Sequence, residues 1–459
     1  MVSFRRPPQS AASRLYLFSS MPILLQKPET SQVRAVARLA SEPALGRILD
    51  WFGAERRWIN ERHLELCRIP APTFQEQRRA EWMVLQFKAM GCEARIDKAG
   101  NVIAFPKPAA ADAATPVVAL TAHLDTVLEP LQPEDIRPGR DGQLQGPGVS
   151  DNGAGLAALL AIAQAVRSSP AMMASPLPLV LIANVGEEGE GNLSGMRYVC
   201  RPSGLGARIA AFLVLDGPAT DHITHRALAS RRFEVTLSGP GGHSWSDHGI
   251  GNPVHALGRV ISLFCENPLV QTGAGPRTSF NFGLIEGGTS VNSIPTLARA
   301  KVDLRSESGT RLDELAALLT AAVEHALETE NERAAAAYAA MQFTPGRVSA
   351  KIREIGSRPG GQLADDSPLL QHLRAIDAHL GIRAHLDCAS TDANVPLSLG
   401  IPAVSIGAGG QGGGAHTPGE WFHPDGREKG LRRIFLALCF LMREVQPGSA
   451  AAPAPPPAV

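Results

Sequence analysis

Short apolar runs recur along the first half of the chain, and each one stops at an acid or an imidazole. The run 117–122 leads into His123 and Asp125, 179–185 leads into Glu187 and Glu188, and 211–215 ends at Asp216. Unbroken runs of this kind predict strands covered on both faces. In open α/β sheets, ligands gather beyond the carboxyl ends of such strands. A further strand is expected over 102–105, and the small-residue stretch 155–166 predicts a helix between strands. Upstream, Ile48, Trp51, Phe52, Ile59 and Leu66 are spaced as on one helix face until Ile69-Pro-Ala-Pro72 breaks the pattern. Thr73 and Glu76 then read as a capping box opening a second helix, with Met83, Phe87 and Met90 buried and Gly91 as its stop. Both helices are expected to be scaffold and not chemistry.

Near Ala227 the period changes. Residues 232–238 alternate as a half-exposed strand does, and a helix over 253–265, strands over 279–285 and 298–305, and a helix over 311–330 predict a βαββαβ-like unit. The earlier pattern resumes with a strand over 401–406 and a helix over 431–445. The fold class expected is α/β, a mostly parallel sheet with flanking helices into which an α+β lid is inserted. The expected divisions are an unstructured extension over 1–43, the first sheet segment over 44–225, the lid over 226–357, the second sheet segment over 358–446 and an Ala/Pro tail over 447–459.

Lys plus Arg and Asp plus Glu both total 44, so no global field favours nucleic acid or a membrane surface, and small molecules become the default partners. The six cysteines are scattered without a C-x-x-C pair, which fits free thiols in a reducing, cytoplasmic setting. No apolar run is long enough to predict a membrane span. The first 28 residues are basic and serine-containing without an acid, like a transit peptide in composition. An unstructured extension, or an early start with Met21 as its competitor, is the reading preferred here.

The chemistry lies in five separated pieces. His123 and Asp125, one residue apart, point to the same side of a strand end, as a ligand and the group that orients it would. Alone, they read first as a satisfied polar pair. Asp151 precedes the small-residue helix and reads either as its N-cap or as a carboxylate able to bridge two cations. Glu187 and Glu188 are like charges that repel unless cations or solvent intervene; one can bind metal while the other faces the water to be activated. Asp216 ends a strand too apolar to leave a carboxylate unpaired. His416 sits in a glycine-rich segment, 407–414, with no Gly-Lys-Ser/Thr to make a phosphate loop. Those glycines are expected to bring backbone close to a substrate and present the imidazole.

With these motifs in this order, the chain resembles the dinuclear zinc peptidase and deacylase family, clan MH, of peptidase T, carnosinase, acetylornithine deacetylase and succinyl-diaminopimelate desuccinylase, over roughly residues 45–445. The resemblance implies that Asp151 bridges two metals, with His123 and Asp216 completing one site and Glu188 and His416 the other. Glu187 is implied as general base, and Asp125 as the partner that fixes the His123 tautomer. Two Zn2+ suit the donor set, with Co2+ or Mn2+ as alternatives. The inserted segment resembles the family's lid and dimerisation domain. Its His243, in Gly239-Pro-Gly-Gly-His243-Ser-Trp, is implied to reach the partner subunit's site in a homodimer and stabilise the oxyanion. Asn292 and Arg305 match positions used around a substrate carboxylate, although Arg305 is equally a structural ion pair. The chain departs from many relatives in having Asn152 and Gly153 after Asp151, and Asp216 leans toward the peptidase T side.

The function expected is amide hydrolysis of a short peptide, aminopeptidase-like, with an N-acyl-amino-acid amidohydrolase as the alternative. A non-catalytic metal-binding dimer has no need of a base at Glu187, and a two-metal phosphatase lacks a basic cluster near the ligands. No nucleic-acid or membrane partner is expected.

Overall fold

A computed structural model describes residues 30–106, 115–271, 275–339 and 345–444. The sheet expected from the apolar runs forms. Strands Val117–His123 and Leu179–Asn184 are buried at every position, which is why they carry no polar alternation. Strand Ile209–Leu215 lies parallel to Val117–His123 on the other side, and Ala403–Ile406 lies parallel to it in turn. These four parallel strands are the centre of a nine-stranded sheet, whose flanks are antiparallel at Val102–Phe105 and at His222–Ala227. Ala403–Ile406, late in the chain, occupies the place between Ile209–Leu215 and His222–Ala227. Helices Gly153–Arg167 and Arg427–Glu444 both pack against the Val117–His123 strand. The first is buried nearly all round, as its Gly/Ala/Leu composition requires of a helix within a core.

The lid has its own core. Strands Ala229–Ser238, Thr278–Gly287, Leu297–Ser306 and Ser349–Arg358 make an antiparallel sheet, covered by helices Pro253–Cys265 and Gly309–Tyr338. In it Phe264 meets Phe280 and Phe282 edge-on at 5.1 and 5.6 Å. The order is the βαββαβ one expected. The two apolar cores share no residue: lid core positions run from Ala229 to Val348, and the other core resumes at Leu363. The chain leaves and re-enters the large sheet at adjacent positions, since Gly361 pairs with Ala227 and Gln362 with Arg226.

Several details differ from expectation. Residues Thr30–Ala40 form a helix that buries Val36 and Leu39, so the expected unstructured extension over 1–43 does not hold there, while 1–29 and the tail from 445 lie outside the described residues. The single helix face expected through Ile48 and Leu66 belongs to two helices, Pro43–Ala54 and Arg56–Cys67. The long lid helix continues to Tyr338 because Arg333-Ala-Ala-Ala-Ala are strong helix formers. Helix Pro368–Leu380 was not anticipated, although Pro368 at its start and Gly381 in a left-handed conformation at its end are ordinary boundary signals. Thr73 and Glu76 do not form a capping box: the helix begins at Gln77, and both side chains serve the loops around the site. Among the described residues, no helix is long and apolar enough to cross a membrane.

Candidate active site

The carboxyl ends of the parallel strands converge as the sequence suggests. His123 Nε2 stands 3.1 Å from Asp151 Oδ1, and His416 Nε2 stands 3.1 Å from Asp151 Oδ2 and 2.8 Å from Glu188 Oε1. Asp151 therefore divides its two oxygens between two imidazoles from opposite ends of the chain. It is not the helix N-cap. That role falls to Asn152, whose Oδ1 accepts from Gly155 N at 3.1 Å while its Nδ2 donates to Leu215 O at 2.8 Å. The helix is thus capped without using Asp151, and the same amide ties its start to the strand that ends at Asp216.

Three backbone constraints hold this geometry. Glu420 accepts N–H bonds from Gly148 at 2.7 Å, Ser150 at 2.7 Å and Asp151 at 2.8 Å, fixing the loop that carries the bridging carboxylate. A side chain at Gly153 would come within 2.6 Å of Gly148 O, so the helix start can approach the loop this closely only with glycine. A side chain at Gly407 would meet Ala219 O at 1.8 Å. Gly407 and Gly409 thus pack backbone against backbone inside the protein, while Gly412 and Gly414 are exposed, and His416 itself takes a left-handed φ of 63°.

Asp125 also acts differently from expectation. His123 Nδ1 contacts the main-chain oxygen of Asp125 at 3.0 Å, and the carboxylate is farther, at 3.6 Å. The carboxylate instead accepts from Glu187 N at 3.0 Å, Glu188 N at 2.9 Å and Thr73 Oγ1 at 3.0 Å. One residue thus sets the imidazole through its backbone and the adjacent glutamates through its side chain. Asp125→Ala is expected to weaken metal affinity about 10–100-fold, as loss of a group that orients ligands does; competition against a chromogenic chelator reads it, and unchanged affinity would remove that role.

The electrostatics concentrate here. Burial raises the Asp216 carboxyl to about 7, Asp151 and Glu188 adding to the rise and His123 opposing it. Among the described residues no hydrogen bond or ion pair reaches that carboxylate. Burial also lifts Glu187 well above the usual range, against the pull of Arg358 and His123. Burial works against the charged forms of Asp151 and His123 too. Their mutual hydrogen bond, with those to His416 and Asp125, prevails, holding Asp151 low and His123 high. Hydrogen bonds to Asp151 and Glu188 raise His416 to about 10. Four carboxylates thus line one cleft of about 290 Å³. Donor atoms of His123, Asp151 and Glu188 all fall within 4.8 Å of one another, so the residues fit a metal ion, and the buried Asp216 carboxylate, without a partner among the described residues, calls for one.

Of the other expected residues, Arg305 lines this cleft, with its Nε donating to Asp303 Oδ2 at 2.7 Å. His243 and Asn292 do not. They lie together on an exposed part of the lid, where Ser244 N donates to Asn292 O at 3.0 Å and Trp245 N donates to His243 Nδ1 at 3.2 Å. Sequence reasoning missed Arg358, the last residue of the lid sheet, which is buried with Nη1 2.9 Å from Glu187 Oε1 and 3.1 Å from Ser390 Oγ. It also missed Asp392, buried behind the site and accepting from Asn184 Nδ2 at 2.7 Å, its carboxyl raised by burial to about 6.

Fold and site together define an α/β chain with two separate cores and a His–carboxylate cluster able to hold metal at the carboxyl end of its parallel strands. Residues 119–438 match the profile of Peptidase family M20/M25/M40, and the chain belongs to that family. It is 31% identical over 243 residues to the "Probable carboxypeptidase" of Aspergillus clavatus, covering 48% of this chain and 51% of the relative. It is 27% identical over 279 residues to the cytosol non-specific dipeptidase of Escherichia coli, covering 53% and 52%. The chain thus spans about half the length of the curated relatives it matches. The crystal structure of aminopeptidase PepT from Bacillus cereus superposes with a TM-score of 0.64 at 19% identity, over 84% of this chain and 98% of that one, a likeness of fold.

Proposed function

We propose that this chain hydrolyses an amide bond of a short peptide with the help of two bound metal ions, zinc in the first instance. The observation that carries this is the bridging geometry: Asp151 faces His123 with one oxygen and His416 with the other, and Glu187 lies in the same cleft without contacting either imidazole in the hydrogen-bond network. His123, Asp151 and Asp216 would hold one ion, and Asp151, Glu188 and His416 the other. The ions would supply Lewis acidity, lowering the pKa of the attacking water and polarising the scissile carbonyl.

The remaining work falls to the chain. Glu187 takes the proton of the attacking water and delivers it to the departing amine, a role suited to a carboxyl whose affinity for protons is raised. The contact of His123 Nδ1 with the Asp125 main-chain oxygen leaves Nε2 free as a ligand atom. Exposure of His243, Asn292 and Trp245 on the lid, together with the exposed edge strand Thr278–Gly287, supports a homodimer through the lid as the assembly. We take the domain limits to be 44–225 with 358–446 for the large sheet and 226–357 for the lid, a division that the two separate cores support. The free cysteines suit a cytoplasmic location.

The test is a matched panel of free-amine di- and tripeptides and N-acyl amino acids given to the zinc- or cobalt-loaded protein. Cleavage confined to free-amine peptides is expected. Cleavage confined to N-acyl substrates would move the assignment to a deacylase.

A further inference from the structure

Beside the metal cleft lies a second cavity, of about 470 Å³, walled by the lid on one side and by residues 388–390 on the other. Arg305 and Ser390 line both, so the two spaces adjoin at these residues. The second cavity is the space open to a substrate portion that extends beyond Arg305. Its charged lining is Arg277, Arg305 and Glu307, an excess of one positive charge. Arg305 uses only Nε to hold Asp303, which leaves both terminal nitrogens for a ligand. The Arg277 guanidinium makes no hydrogen bond or ion pair among the described residues. Its main chain is fixed, because Glu307 N donates to Arg277 O at 3.1 Å. Ser279 and Ser390 add hydroxyl groups.

We propose that this cavity is a second carboxylate-reading subsite, in which Arg277 selects substrates whose departing portion carries a carboxylate in addition to the one held at Arg305. The proposal rests on the amide-hydrolase reading and narrows its substrate class to diacidic leaving groups. A guanidinium with its donors unspent is the group that recognises a carboxylate through paired, charge-assisted hydrogen bonds. The second carboxylate is then the side chain of a departing acidic residue, whose own C-terminus is the first.

The test compares charged and neutral isosteres on the metal-loaded full chain. Ala-Glu against Ala-Gln probes the side-chain carboxylate. The wild type is expected to favour Ala-Glu about tenfold in kcat/KM, the scale of one charge-assisted hydrogen bond. Arg277→Met is expected to collapse that ratio toward one, and Arg277→Lys to restore part of it. Equal kcat/KM for the two peptides, or a preference that survives Arg277→Met, overturns the subsite while leaving the hydrolase reading intact. If no peptide is cleaved, calorimetry with glutamate against glutamine still decides. Tighter binding of glutamate that is lost in Arg277→Met supports the subsite, and equal binding rejects it.

Discussion

Glu187→Ala is expected to keep its metal complement and lose about 10²–10⁴-fold or more in kcat, the contribution of a positioned general base. Asp151, Glu188, His123 and His416 contact one another without help from the Glu187 side chain, so the ligand set survives its removal. The backbone of residue 187 still donates to Asp125, which keeps Glu188 in register. Metal analysis and single-turnover kinetics on the same preparation separate the outcomes. Loss of metal together with activity would make Glu187 a ligand, and substantial residual turnover would remove it as the base.

Arg358→Met is the other change with a large expected effect. Arg358 reaches from the end of the lid sheet to the Glu187 carboxylate and also donates to the Glu187 main-chain oxygen. Removing one partner of a buried ion pair costs about 3–5 kcal/mol, because the other is left uncompensated. Part of that cost falls on stability and part on the base itself. Glu187 already binds its proton more tightly than an ordinary carboxyl through burial, and Arg358 opposes this. Without the guanidinium the carboxyl rises further, so a larger fraction is protonated and idle at neutral pH. The expected result is a fall in kcat of about 10²-fold near pH 7, the low end of the base's contribution, and an acid limb of the rate profile displaced to higher pH. KM moves little. A lower melting temperature with an unmoved acid limb would show that Arg358 only holds the domains together.

Why Arg358 escaped the sequence while Asp151 did not is a matter of physical signal. Strand ends at 123, 185 and 215 were legible because a parallel strand covered on both faces leaves an unbroken apolar run, and an acid beyond such a run is conspicuous. His222-Ile-Thr-His-Arg-Ala227 pairs in the same sheet near its edge and carries no such run, so neither it nor His385–Ala389 was anticipated. Arg358 ends a strand whose other residues are mostly exposed, where a cation reads as ordinary surface. Its purpose follows only from the burial of Glu187, a tertiary fact. Thr73 and Glu76 misled in the opposite direction. Their spacing imitates a helix start, yet Thr73 holds Asp125 and Glu76 accepts from Gly186 N at 3.1 Å. Asp392, in Ala-Ser-Thr-Asp-Ala-Asn, has the composition of a turn, and its burial against Asn184 depends on strands far away in sequence.

The position of Ala403–Ile406 between Ile209–Leu215 and His222–Ala227 bears on how the chain reaches this structure. The two outer strands are joined by a short loop and run in opposite directions, so during synthesis they are free to close on each other as a hairpin. The native sheet needs that gap held open until the whole lid, and everything up to residue 402, has emerged. The last central strand then inserts and takes the hydrogen bond from Asp216 N at Ile406 O. Such late, long-range pairing is slow, and the waiting intermediate exposes strand edges. A nascent chain truncated before Ala403 should therefore be a client for chaperones, and refolding of the full chain should be limited by ejecting a premature hairpin, well after the self-contained lid has formed.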